Sequence, residues 1–108
     1  MSEKIKDYSA FWPYYLREHA KPLTRALHYI GSAMALVFLG LGILSDSTFF
    51  FAALLAGYGF AWVAHFFIEH NKPATFTYPV WSLYSDWRMF ALFITGQLQR
   101  HLDQAGVR

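Results

Sequence analysis

The sequence predicts an all-α integral membrane protein: a helical hairpin with an N-terminal interfacial helix and a C-terminal amphipathic or re-entrant helix. Three observations predict it. Of the 108 residues 56% are hydrophobic and only 15% charged, against about 25% charged in an ordinary globular domain. A chain this short has too little interior to hide so much apolar surface, so part of it faces something other than water. Formal charges are absent from two long runs, 20 residues at 26–45 and 22 residues at 47–68. Between them stands only Asp46 with a serine on each side, a link short enough to force a tight antiparallel pair.

Taken in order, the chain is a single membrane domain over 1–108, beginning with a cytoplasmic interfacial segment at 1–25. That segment carries Lys4, Lys6, Arg17, Lys21 and Arg25 against Glu3, Asp7 and Glu18. No apolar core follows within its first turns, so it does not read as a signal peptide. Ser9 is expected to cap a short helix reaching about Ala20, with Pro13 in its first turn. Phe11, Trp12, Tyr14 and Tyr15 suit the headgroup zone, where amphipathic rings concentrate. Pro22 ends that helix before the first span.

The spans at 26–45 and 47–68 would measure about 30 and 33 Å as helices, enough to cross a bilayer core. Basic residues before the first span and the lone Asp46 at the hairpin tip put the N-terminus in the cytoplasm. The membrane is then a bacterial inner membrane, or the endoplasmic reticulum membrane in a eukaryotic cell. Glu69-His70-Asn71-Lys72-Pro73 forms a polar stop with a proline terminator. A third helix is expected at 79–102. Its charge-free stretch from Met89 to Leu98 is only 10 residues, too short to span, so it reads as interfacial or re-entrant.

Several chemistries drop out early. The chain has no cysteine, which excludes disulfides, thiolate metal sites and thiol nucleophiles. The net charge of +2 comes from scattered residues, so a nucleic-acid partner is not expected. Neither a phosphate-loop glycine pattern nor an HExxH motif is present.

What remains is a set of histidines: His19, His28, His65, His70 and His101. His28 lies 18 residues before Asp46 and His65 lies 19 after it. On antiparallel helices those counts give heights of about 27 and 28.5 Å, the same level near the cytoplasmic boundary. Rotation agrees with height. Ala53, Gly57, Ala61, His65 and Glu69 form one stripe, and His28, Ser32 and Ala35 form another beside Gly31. Small residues are what membrane helices place at close approaches, so the two stripes are expected to face each other.

His19 enters from the preceding helix. His19, His28 and His65 therefore read as a metal site, with Glu69 as a weaker fourth ligand or a partner of the ligands. Imidazoles with a carboxylate suit iron or zinc, and such a set with open positions is the pattern of non-haem iron oxygenases. Taken singly, each histidine reads sooner as an interfacial residue bonded to a carbonyl or lipid, but three at matched depth beside a glutamate weigh against that reading. His70 and His101 read as surface residues. Asp86 and Arg88 read as a structural pair, while Lys21, Arg25 and Arg88 are candidates for binding a substrate carboxylate.

The stretch from His19-Ala-Lys-Pro22 to His28-Tyr-Ile-Gly31, with Trp62-Val-Ala-His65-Phe-Phe-Ile-Glu69 and Pro73-Ala74, resembles a known family. It is the small membrane family named for metabolism of phytosphingosine to odd-numbered fatty acids, which includes a 2-hydroxy fatty acid dioxygenase. The segment from Thr75 to Arg88 resembles the family's compact bacterial branch. The resemblance implies an Fe(II)-dependent dioxygenase of fatty-acid α-oxidation and sphingolipid degradation. It implies His19, His28 and His65 as metal ligands and Glu69 as the family's acidic position.

The implied reaction takes a long-chain 2-hydroxy fatty acid and O₂ to the acid one carbon shorter, with CO₂ and water. That equation balances without an external reductant. Membrane lipid is the remaining partner, and the Gly- and Ala-rich faces also suit a homodimer. The alternative is a non-enzymatic small membrane hairpin protein that organises lipid or a partner helix, its histidines purely structural.

Overall fold

A computed structural model describes residues 4–107. All regular elements among them are helical: α1 (Tyr8–Arg17), α2 (Pro22–Leu44), α3 (Phe49–Val63) continuing into a π-helix (Ala64–Glu69), a 3-10 turn (Ala74–Phe76), α4 (Pro79–Ile94) and α5 (Leu98–Ala105). They pack as two compact units. Lys21–Pro73 forms one, and the chain up to Ala20 together with the chain from Ala74 onward forms the other.

In Lys21–Pro73 two helices are long and apolar enough to cross a membrane, Pro22–Leu44 with 23 residues and Phe49–Glu69 with 21. The first helix starts four residues before the charge-free run at 26–45. Pro22 is its first helical residue rather than a terminator, because its fixed φ suits the first turn and its missing N–H would have no partner there. The Lys21 side chain supplies no cap. Instead the Glu69 carboxylate accepts the Lys21 backbone N–H at 2.6 Å and the Thr24 hydroxyl at 2.8 Å. A carboxylate is favoured at this end of a helix, where the dipole is positive.

The two helices run antiparallel and in contact along their length. Near the link the ring of Phe50 fills the space beside Gly42, midway Gly31 meets Ala56 and Phe60, and at the far end His28 meets His65. Gly31 is required by this approach: a Cβ there would lie 2.8 Å from the Ala56 carbonyl oxygen. Gly31, Ser32, Ala35, Ala53, Ala56 and Ala61 are buried, so the small-residue faces meet as expected. The link is closed by Asp46, whose carboxylate accepts the Thr48 N–H at 2.9 Å and its hydroxyl at 2.6 Å. Those bonds, the hydroxyl first, hold the Asp46 carboxyl below its ordinary pKa.

The other unit is built differently. Asp7, not Ser9, caps α1: its carboxylate accepts the Ala10 N–H at 2.9 Å and the Ser9 hydroxyl at 2.7 Å. The helix therefore begins at Tyr8 and stops at Arg17, and Pro13 lies inside it beyond the first turn. Phe11, Trp12 and Tyr15 are buried core residues rather than headgroup contacts. Ser82 and Ser85 explain why: two small buried residues on α4 leave room for the rings of α1. Phe11 thus lies 5.2 Å from Tyr78 and 5.5 Å from Trp81, centroid to centroid, and the Tyr8 hydroxyl is 2.8 Å from that of Ser85.

The single helix expected at 79–102 is two helices. Gly96, at φ +76°, turns the chain between α4 and α5, and the Gln97 N–H returns to the Leu92 carbonyl at 2.8 Å. A left-handed glycine just past the last turn is the usual helix stop. Leu98, Leu102 and Ala105 of α5 are buried, while Gln99, Arg100, Asp103 and Gln104 are exposed. On α4 the exposed side is apolar, with Val80, Leu83, Tyr84, Phe93 and Ile94.

Candidate metal centre

The close approach at Gly31 sets up the centre of Lys21–Pro73. With the helix axes held near each other, His28 on α2 and His65 on the π-helix meet with ring centroids 5.2 Å apart and planes at 83°. Both are buried. A sequence separation of 37 residues thus closes into contact, as the equal counts from Asp46 require.

The polar groups around this pair are engaged. The Nδ1 of His65 is 2.7 Å from the side-chain oxygen of Asn71. Glu69 is occupied with the start of α2: its carboxylate ties the end of the π-helix to Lys21 and Thr24. Lys21 completes that clamp, its Nζ donating to the Ile68 carbonyl at 2.9 Å. Arg25 is buried on α2, three residues before His28. His70 is exposed at the corner that follows the π-helix.

His19 belongs to the other unit, just after α1. It is buried, its Nδ1 lies 2.6 Å from the Tyr15 carbonyl oxygen, and its ring packs on Tyr15 with centroids 4.1 Å apart. The Tyr15 hydroxyl donates to the Asp86 carboxylate. Burial pushes the Asp86 carboxyl up to about 7, against the opposing effect of that hydrogen bond.

Asp86 and Arg88 each engage α1 rather than forming a pair. Arg88 lies over the Trp12 ring, 4.2 Å from its centroid, and donates to the Tyr8 hydroxyl at 3.4 Å. His101 is not a bare surface residue: its Nδ1 accepts the Trp12 indole N–H at 3.1 Å. Partial desolvation, with Arg88 and Arg100 nearby, lowers the pKa of His101.

Sequence reasoning missed Asn71. It stands in the polar stop after the second span, where only chain termination could be read, and the π-helix that gives it a role has no composition signal. The chemistry of the donors suits a metal. His28 and His65 are buried imidazoles of Lys21–Pro73, and His19 is a buried imidazole of the other unit; neutral imidazole suits zinc, copper, iron or nickel.

The model of one protein family, 2-hydroxy-palmitic acid dioxygenase Mpo1-like, matches residues 5–98. No match is found among curated proteins or among solved structures. With nearly the whole described chain covered, the protein belongs to the 2-hydroxy-palmitic acid dioxygenase Mpo1-like family.

Proposed function

We propose that this protein is a membrane-embedded, iron(II)-dependent dioxygenase that shortens long-chain 2-hydroxy fatty acids by one carbon, releasing CO₂. The observation that carries the proposal is the buried His28–His65 pair, 5.2 Å apart, in a chain of a family named for such a reaction. His19, His28 and His65 are the proposed ligands. Iron(II) bound there supplies open coordination positions for O₂ activation.

The protein's own residues bind and orient the substrate. Of the three cationic candidates, Lys21 has its Nζ on the Ile68 carbonyl and Arg88 lies on Trp12. Arg25 is buried within one turn of His28, and that nearness makes its guanidinium the proposed partner of the substrate carboxylate. Glu69 is proposed as a positioning residue, not a ligand, because its oxygen Oε2 holds the N-terminus of α2 in place. The acyl chain would lie along the apolar outside of the hairpin, in lipid.

The same reading places α2 and the α3–π-helix segment across the bilayer with the N-terminus in the cytoplasm. It places α4 in the interface, since 16 residues span about 24 Å. Leu44 is 86% exposed and Leu55 75%; contiguous apolar surface of this kind marks a membrane-facing side.

The test is anaerobic loading of the purified protein with Fe(II), followed by 2-hydroxypalmitate and O₂. Pentadecanoate and CO₂ in equal amounts are expected. His28→Ala and His65→Ala should each abolish turnover and lower bound iron. Wild-type turnover and iron content in both variants would show the enzyme reading to be wrong.

A further inference from the structure

We propose that Asn71 is a positioning residue for His65, holding its ring so that Nδ1 carries the proton and Nε2 is the nitrogen offered to a metal ion. The inference rests on the metal reading above. Asn71 grips His65 at two points. Its backbone N–H donates to the His65 carbonyl at 2.9 Å, and its side-chain oxygen lies 2.7 Å from the ring Nδ1. An amide oxygen only accepts, so the proton between them belongs to Nδ1. A neutral imidazole has a single N–H, which leaves the lone pair on Nε2.

Local backbone geometry makes the grip possible. Asn71 stands six residues after His65; on a continuous α-helix a residue at i+6 would be about 240° further round the axis, out of reach. Here the helix has widened into a π-helix and ends at His70, whose φ is +60°. A left-handed non-glycine residue is uncommon. It turns the chain back over the helix end, and Asn71 is the first residue after that turn. π-Helical segments of this kind recur at functional sites.

His19 shows the same orientation from a different source. Its Nδ1 faces the Tyr15 carbonyl oxygen at 2.6 Å, again an acceptor only, so Nε2 is again the unprotonated nitrogen of the neutral ring. Two of the three proposed ligands are thus set in one tautomer by oxygens of the protein. Metal-binding histidines are held in this way by the group opposite the metal, and losing that group commonly weakens metal binding by about 10–100-fold.

Two measurements test the inference: ¹⁵N NMR of the imidazoles in metal-free protein, and titration with Co(II) followed by visible absorption. Wild-type His65 is expected in the Nδ1–H form. Asn71→Ala should move it toward the Nε2–H form and weaken Co(II) binding by about 10–100-fold. Asn71→Asp keeps an acceptor in place and should recover the Nδ1–H form and most of the affinity, which a general loss of packing would not do. If Asn71→Ala does not fold, Asn71→Gln displaces the same oxygen by one methylene and gives both readouts.

Wild-type Co(II) affinity in the Ala or Gln variant, or an Nε2–H ring in the wild type, overturns the inference and leaves the metal reading standing. A wild-type protein that binds no Co(II) overturns the metal reading, and the role of Asn71 with it.

Discussion

In Lys21–Pro73 the small side chains face inward and the large ones outward; in the unit that joins α1 to α4 and α5, large rings of α1 are buried against small residues of α4. Gly31, Ala35, Ala53 and Ala56 line the contact between α2 and α3, while Ile43 and Leu44 are 76% and 86% exposed. Across the α1 core, Phe11, Tyr15 and Met89 are 0% exposed, and α5 turns Gln99, Arg100 and Asp103 outward. One unit is held by close backbone approach and suits lipid, where apolar surface has no reason to hide. The other holds itself as water-soluble proteins do, by burying large rings.

The contrast can be broken at its largest contributor. Phe11→Ala empties the aromatic core and should destabilise its unit by about 3–5 kcal/mol, read as loss of near-UV circular dichroism while the helical signal of the hairpin persists. Asp86→Asn acts on the same unit through pH. The folded pKa of about 7 lies above the ordinary carboxylate value of 3.8, so the wild type is most stable below about 4 and loses stability as pH rises through 7. The amide variant escapes that loss, and at pH 8 its midpoint should exceed the wild type's, by up to about 4 kcal/mol in free energy.

In the hairpin the sensitive step is adding atoms rather than removing them. Gly31→Ala should cost about 1–3 kcal/mol, because its Cβ would meet the Ala56 backbone, while Gly59→Ala, with nothing within 4 Å, should stabilise slightly. Thermal unfolding in one detergent compares them directly. Equal effects at the two glycines would show that the hairpin does not depend on the close approach at Gly31. The smallest effect is shared: Asp7→Ala removes the carboxylate that caps α1 and Asp46→Ala the one that closes the link, and each should lower the unfolding midpoint only slightly.

Much of the hairpin was legible in the sequence because its signals are one-dimensional. Charge-free runs, a short polar link and stripes of small residues at i+4 follow directly from counting. His28 and His65 were paired by the same arithmetic. The aromatic unit was misread for a matching reason. Phe11, Trp12 and Tyr15 have the composition of an interfacial belt, and only Ser82 and Ser85, some 70 residues away, reveal that they are a core. Gly96 was a visible signal that went unused; Thr95-Gly96-Gln97 carries no proline, and the apolar pattern continues past it. The π-helix had no signal, since its composition is that of any apolar helix end. Glu69 was placed correctly along the chain but assigned by its stripe, whereas its carboxylate follows the free N–H groups at the start of α2.

The aromatic unit is also discontinuous: α1 comes from the beginning of the chain and its partners from beyond Ala74. During synthesis at about 5–20 residues per second, Phe11 leaves the ribosome several seconds before Met89 exists to cover it. Throughout that interval the bare rings of α1 need shelter, which a bilayer would offer to a nascent chain whose hairpin had entered it. A transcript cut short before α4 would leave a finished hairpin carrying an exposed aromatic helix, a ready target for quality-control proteases.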